Sequence, residues 1–145
     1  MKIQDIGSAK EAMQALHKMG AKTVVISSSD LGSEDVLVAL GSSVFNGTRT
    51  GIKMEIPRFP ENFVGTGDLF AALLMAWLHK HPNSLQVACE KTVSTMQHVL
   101  RKTLQCQAEV QNSDQRPLMA RKELKLVQSK RHIEDPEICV HAQPL

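Results

Sequence analysis

The stretch FVGTGDLFAALLMAW, Phe63 to Trp77, sets two glycines and an acid directly against a long apolar run. From Leu69 to Leu78 every side chain is apolar, the composition of a buried helix. Its entrance is of another kind. Gly65 and Gly67 open backbone conformations closed to other residues and let a ligand approach the main chain. If the helix starts at Gly67 or Asp68, its first N–H groups point outward unpaired and the macrodipole adds positive charge there. Phosphate oxygens suit such a place, and Thr66 adds a hydroxyl to it. The same field holds Asp68 as a carboxylate, able to accept a hydroxyl proton as a phosphoryl group transfers. The Lys-Ser/Thr end of a Walker A loop is missing. Asp is also common in first turns for dipole reasons alone, so the local pattern leaves capping and catalysis both open.

Working outward, the flanking elements alternate. Ser8 and Glu11 in SAKE read as a capping box opening a helix with the stripe Ala9, Ala12, Met13, Leu16 and Met19, closed by Gly20. KTVVISSSD and DVLVALGS read as strands around a polar turn, and KMEIP as a weaker third. The oily helix spans 67–80 and breaks near His81-Pro82. Ser84 then caps a long helix whose stripe includes Leu85, Ala88, Cys89, Thr92, Met96, Val99, Leu100, Thr103 and Leu104 and reads as core. Gln107 to Pro117 reads as a loop, ELKLV (Glu123 to Val127) as a strand, Ile133 to Glu137 as a helical turn, and EICVHA as an edge strand. The pattern is α/β, with few strands for a closed doubly wound domain.

Composition excludes several functions. The chain has 145 residues, enough for one ordinary core. A net charge of +2 is too small to argue for nucleic acid or an anionic membrane, and 3% aromatics with no Tyr argue against base stacking. Cys89, Cys106 and Cys139 are odd in number and far apart, which favours free thiols over a disulfide framework or a zinc site. The N-terminus has no signal-peptide apolar core and the longest apolar run is half a membrane span. These features lead to the expectation of a cytoplasmic protein. His79 and His81 do not share a helix face and read as a polar helix end. Acids dilute the basic residues from Arg121 to Arg131 into a solvated face.

FVGTGDLFAALL resembles the signature of the ribokinase superfamily, and Gly-Thr-Gly-Asp resembles its vitamin B6 branch. MGAKTVVISSSDLGS, HKHPN, VACEKTVSTMQHVL and QSKRHIEDPEI are similar, in order, to segments of animal pyridoxal kinases. The resemblance implies that residues 1–145 are the C-terminal portion of a single ribokinase-like three-layer α/β/α kinase domain. It implies ATP, Mg²⁺ and K⁺ (or Na⁺) as cofactors, B6 vitamers as substrates and a homodimer in the full-length family.

Residue by residue, Asp68 matches the catalytic base acting on the 5′-hydroxymethyl group. Gly65, Thr66 and Gly67 match the anion hole for the transferring phosphoryl, and Gly67 also lies beside the vitamer. Ser27 and Ser28 match a Thr-Ser pair that touches ATP and, at Ser27, a monovalent cation. Phe59, Pro60 and Glu61 fall on the nucleotide-edge loop, Thr66 on a nucleotide contact, and Leu100 near the adenine. Three positions depart from the family pattern: Ser replaces Thr at 27, PRFPEN differs in the edge loop, and His132 replaces Asp.

Family members are much longer, and the portion preceding Met1 carries most of the vitamer pocket and of the parallel sheet. A sheet cut through its middle would leave an unpaired edge and uncovered apolar faces, so the isolated chain is expected to be marginally stable or self-associating. Two readings follow, a kinase acting on pyridoxal, pyridoxine and pyridoxamine, or a catalytically incomplete fragment serving as a binding or oligomerisation module.

Overall fold

Two short connections decide the sheet. In the computed structural model, which describes residues 2–109 and 122–145, residues 30–35 join β1 (Thr23–Ser29) to β2 (Val36–Phe45). Asn46 and Gly47 alone join β2 to β3 (Thr48–Pro57). A parallel crossover needs a dozen or more residues, so neither connection can make one. Among the described residues the sheet strands all pair antiparallel, in the order β1-β2-β3-β4, with β4 at Ala142–Pro144. Among the same residues β1 is left as a free edge. Asn46 (φ 48°) and Gly47 (φ 77°) both take left-handed backbone, matching the twist of a two-residue hairpin. That turn lengthens the weak third strand to ten residues.

The sheet's two faces bury different helices. Val24, Val38 and Leu40 point to α1 (Ile6–Lys18) and enclose Ala9 and Met13. Ala39, Ile52, Met54 and Ile56 point the other way, onto Leu85, Cys89 and Val93 of α3 (Leu85–Glu109). α2 (Thr66–Lys80) lies against α3, joining Leu73 and Trp77 to Ala88 and Met96. The result is three layers: α1, the sheet, and the α2–α3 pair.

Several expectations need correction. α1 starts before Ser8: Asp5 is the N-cap, accepting from Ser8 N at 2.7 Å, while Ser8 Oγ accepts from Asp5 N at 3.1 Å. The box is thus Asp5 with Ser8, because a carboxylate three residues upstream satisfies the same N–H and adds most of a turn. Leu16 and Met19 are exposed, whereas the half-buried His17 turns toward the sheet. The oily α2 is not buried all round: Ala71, Ala72, Met75 and Ala76 face solvent, Met75 at 72%.

ELKLV makes one parallel bridge, Glu123 to Val64, and then coils into a 3₁₀ turn at Val127–Ser129. Side chains claim the backbone a ladder would have used, for Lys125 N donates to Thr103 Oγ (3.0 Å) and Ser129 Oγ donates to Lys125 O (2.7 Å). EICVHA is likewise not a strand before Ala142, since Ser94 Oγ accepts from Cys139 N (3.0 Å) and Val140 N (3.3 Å). The expected helical turn at Ile133 to Glu137 lies earlier, as α4 (Lys130–Glu134), because Pro136 disfavours helical backbone at Asp135. α3 runs to Glu109, past the start of the loop expected from Gln107, and the rest of that loop lies outside the described residues.

Other readings hold. Ser84 Oγ accepts from Val87 N at 3.3 Å at the head of α3. Gly20 has a φ of 105° just past α1. All three cysteines are free, and burial pushes the Cys89 thiol up to about 12. His132 stacks on His98 with centroids 4.4 Å apart, and its imidazole is held below the usual value by desolvation and then by His98.

Leu40, fully buried between α1 and the sheet, tests this packing. Leu40→Ala is expected to lower stability by about 3 kcal/mol, read as a fall in the urea midpoint at constant slope. A loss below about 1 kcal/mol would contradict the α1 layer as described.

Candidate functional site

The loop before α2 is pinned first. Val64 N donates to Lys122 O at 3.2 Å, so the chain enters α2 from a fixed point. Gly65 then takes left-handed backbone (φ 85°, ψ 9°) as the N-cap, which suits glycine because it has no Cβ. The helix starts at Thr66, slightly earlier than the start expected at Gly67 or Asp68. No side chain caps it. The N–H groups of its first turn are therefore left for a ligand or water, with the dipole's positive end behind them. Asp68 lies in that turn, exposed.

Beside this N-terminus opens a cleft of about 370 Å³. Ser27 and Ser28 at the end of β1 line one side, with Leu37 and Ile56 of the sheet forming its floor. Phe59, Glu61 and Phe63 line it from the segment after β3, and Thr66, Gly67 and Phe70 from α2. Val93, Met96, Gln97 and Leu100 of α3 complete the wall. The two rims are joined by Arg58 Nη2 to Asp30 Oδ1 at 2.6 Å and by Arg58 N to Asp35 O at 2.9 Å. Asp30 is 85% exposed, so that ion pair contributes little stability and acts as a positional tie. Phe59 meets Phe63 edge to face with centroids 6.4 Å apart.

Ser27, Ser28, Phe59, Glu61, Thr66, Gly67 and Leu100 thus share one cleft, although they come from four parts of the chain. Pro60 does not line it and is exposed between Phe59 and Glu61. Gly65 and Asp68 also stand outside the lining, one residue to either side of Thr66-Gly67. Chemically the cleft offers apolar walls for a planar ring system, with backbone donors and hydroxyls at one end for an anion. Among the described residues no three His, Cys, Asp or Glu side chains gather as a metal site. The residues present therefore do not fit a protein-only Mg²⁺ cage. The exposed Ser27 and Ser28 hydroxyls fit a weakly held monovalent cation as partial ligands.

No protein-family model matches the chain. The pyridoxal kinase of Sus scrofa is 53% identical over 151 residues, covering 97% of this chain and 47% of that protein. The pyridoxal kinase of Homo sapiens is 50% identical, covering 99% and 49%. The solved pyridoxal kinase of Leishmania donovani, in complex with ADP and pyridoxamine, superposes with a TM-score of 0.79 at 26% identity, covering 99% and 46%. The chain is similar to pyridoxal kinases. It spans about half the length of the curated relatives it matches. Over that half, the α/β fold is that of the pyridoxal kinases.

Sequence reasoning missed Phe63, Phe70, Met96 and Gln97 as cleft residues. The signal was present in part: Val93, Met96, Gln97 and Leu100 follow the i, i+3, i+4, i+7 spacing of one helix face. The long stripe reads as core, with Leu100 alone also matched to a nucleotide contact, yet at Val93 to Leu100 it walls the cleft. Gln97 was hidden because it is polar and its burial depends on the sheet. It is 2% exposed, its Nε2 donates to Pro57 O at 3.3 Å, and its Oε1 has no partner among the described residues. A carbonyl only accepts, so the amide orientation is fixed with Nε2 toward Pro57. This bond sets the strand end from which Arg58 and Phe59 depart.

Gln97→Glu should show that dependence. The carboxylate cannot donate to Pro57 O and carries charge into a dry site, so a loss of about 3 kcal/mol is expected at pH 8. Burial raises the pKa of the introduced acid in the folded state, so the loss grows as pH rises above the unfolded value and shrinks below it. A loss that stays flat from pH 4 to 8, measured by chemical denaturation, would show that the Gln97 amide is not the buried tie.

Proposed function

We propose that this chain is the C-terminal part of an ATP-dependent kinase that phosphorylates the 5′-hydroxymethyl group of pyridoxal, pyridoxine or pyridoxamine. The observation that carries the reading is the convergence of Ser27, Ser28, Phe59, Glu61, Leu100 and the Thr66-Gly67 backbone on one cleft beside the uncapped end of α2. The nucleotide lies with its base against Phe59 and Leu100 and its phosphates toward the N–H groups of Gly65, Thr66 and Gly67. As the substrate oxygen bonds to the γ-phosphorus and the bond to ADP breaks, those donors hold the charge on the transferring group. Asp68, exposed in the first turn, takes the hydroxyl proton, with Gly67 beside the vitamer.

Mg²⁺ would be held by the nucleotide's own phosphate oxygens and water, since the described residues offer no carboxylate cluster. Ser27 is a partial ligand for K⁺ or Na⁺. A cytoplasmic setting and a homodimer of the whole kinase belong to the same reading.

A second reading is favoured by a specific observation. β1 is a free edge, and α2 exposes Ala71, Ala72, Met75 and Ala76. Both suit a chain whose fold is completed by further structure, acting alone as a binding or oligomerisation module.

The test is pyridoxal 5′-phosphate formation by the purified chain with ATP, Mg²⁺, K⁺ and pyridoxal, beside Asp68→Ala. Loss of more than about 100-fold in turnover with ATP affinity within about threefold is expected if Asp68 is the base. Undiminished turnover in the variant would remove Asp68 from that role. Folded protein that binds ATP and never turns over would favour the module reading.

A further inference from the structure

The face of the sheet opposite the cleft holds a second cavity, of about 260 Å³, lined by Lys10, Ser42, Arg49, Gly51 and Leu145. Its wall is organised by a chain of hydrogen bonds whose directions can be assigned. His17 Nδ1 lies 2.6 Å from Ala21 O, and a carbonyl only accepts, so Nδ1 carries the proton. In the neutral ring Nε2 is then an acceptor, and the Ser42 hydroxyl donates a hydrogen bond to it at 2.9 Å. Ser42 Oγ in turn accepts from Arg49 Nε at 3.0 Å. Ser42 is fully buried, so the link is fixed rather than shared with solvent. One edge of the Arg49 guanidinium is thereby tied down, and its terminal donors remain.

Two cationic side chains meet in this cavity, and Leu145, which bears the terminal carboxylate, belongs to the same lining. Lys10 stands two helical turns before His17 on α1 and lines the same cavity. Among the described residues neither Lys10 nor Arg49 forms an ion pair. The acid of β3, Glu55, is engaged by Lys53 at 2.7 Å. Gly51 lets Leu145 pack against β3, since a Cβ there would come within 3.2 Å of Leu145 Cβ, and Leu145 N donates to Gly51 O at 3.0 Å.

We propose that this cavity is an anion site for a phosphate group, whether of free phosphate or of a phosphate monoester. A guanidinium held by its Nε offers paired donors to two phosphate oxygens, and an ammonium beside it supplies the second charge. The site lies on the α1 side of the sheet and does not depend on the kinase reading.

The experiment is titration of the ¹⁵N-labelled full chain with inorganic phosphate and, separately, with glycerol 3-phosphate, at constant ionic strength. Saturable shifts at Ser42 and Gly51 with millimolar or tighter affinity are expected. Arg49→Gln should weaken them at least tenfold and Lys10→Gln several-fold, whereas amide shifts at Thr66 to Asp68 report the cleft separately. Lys10 is exposed on a helix surface, so Lys10→Gln keeps the test valid if Arg49→Gln fails to fold. Tighter binding of the monoester would identify a phosphorylated small molecule as the source, and equal or weaker binding free phosphate. Non-saturating shifts, shifts confined to Thr66 to Asp68, or shifts unchanged in both variants would overturn the proposal.

Discussion

The burial of the middle of α3 on every side is the constraint on which the rest of the molecule depends. From Thr92 to Gln97 six consecutive residues are buried, more than one face of an amphipathic helix can supply. Thr92 donates to Ala88 O within the helix at 2.8 Å, whereas Ser94, Thr95 and Gln97 also reach distant chain. Ser94 takes two N–H groups from residues 139 and 140, Thr95 donates to His132 O at 3.3 Å, and Gln97 takes Pro57 O. An unpartnered buried donor or acceptor costs free energy comparable to a lost hydrogen bond, so these contacts fix the C-terminal segment and the end of β3 at once.

The candidate site inherits its geometry from that helix. α2 packs on α3 through Leu73 and Trp77, which sets where the uncapped N-terminus of α2 points. Gln97 sets the end of β3 and thus the segment carrying Phe59 and Glu61. Ser27 and Ser28 arrive from the far edge of the sheet, where the register of β1 on β2 shifts between Ile26 and Ser29. The cleft is accordingly a meeting place of four segments, each held by a contact outside it. The similarity to pyridoxal kinases adds an outer frame. Relatives twice as long have structure that this chain does not span, and the free β1 edge and the bare face of α2 are surfaces to which such structure could attach.

Much of this was legible in the residues themselves. Local chemistry settled the helices and the three long strands, because capping groups, Gly20 and β-branched runs act within a few residues of where they stand. The Gly-Thr-Gly-Asp entrance was legible as a helix start with glycine at its cap, because those residues act where they stand. The antiparallel order was also present in the two-residue Asn46-Gly47 link, too short for a parallel crossover. What the sequence could not decide were matters of competition between distant groups. ELKLV and EICVHA have strand patterns, yet their N–H groups go to Thr103 and Ser94, which lie 22 and 45 residues away. The burial of Gln97, the exposure of Met75 and the seating of Lys10 beside Arg49 depend on which layers meet, and periodicity along one element carries no information about its neighbours. Sequence by itself determined the elements and the chemistry each one carries; tertiary structure decided which of them share a cleft, because buried polar groups must be satisfied by whatever the fold brings within hydrogen-bond reach.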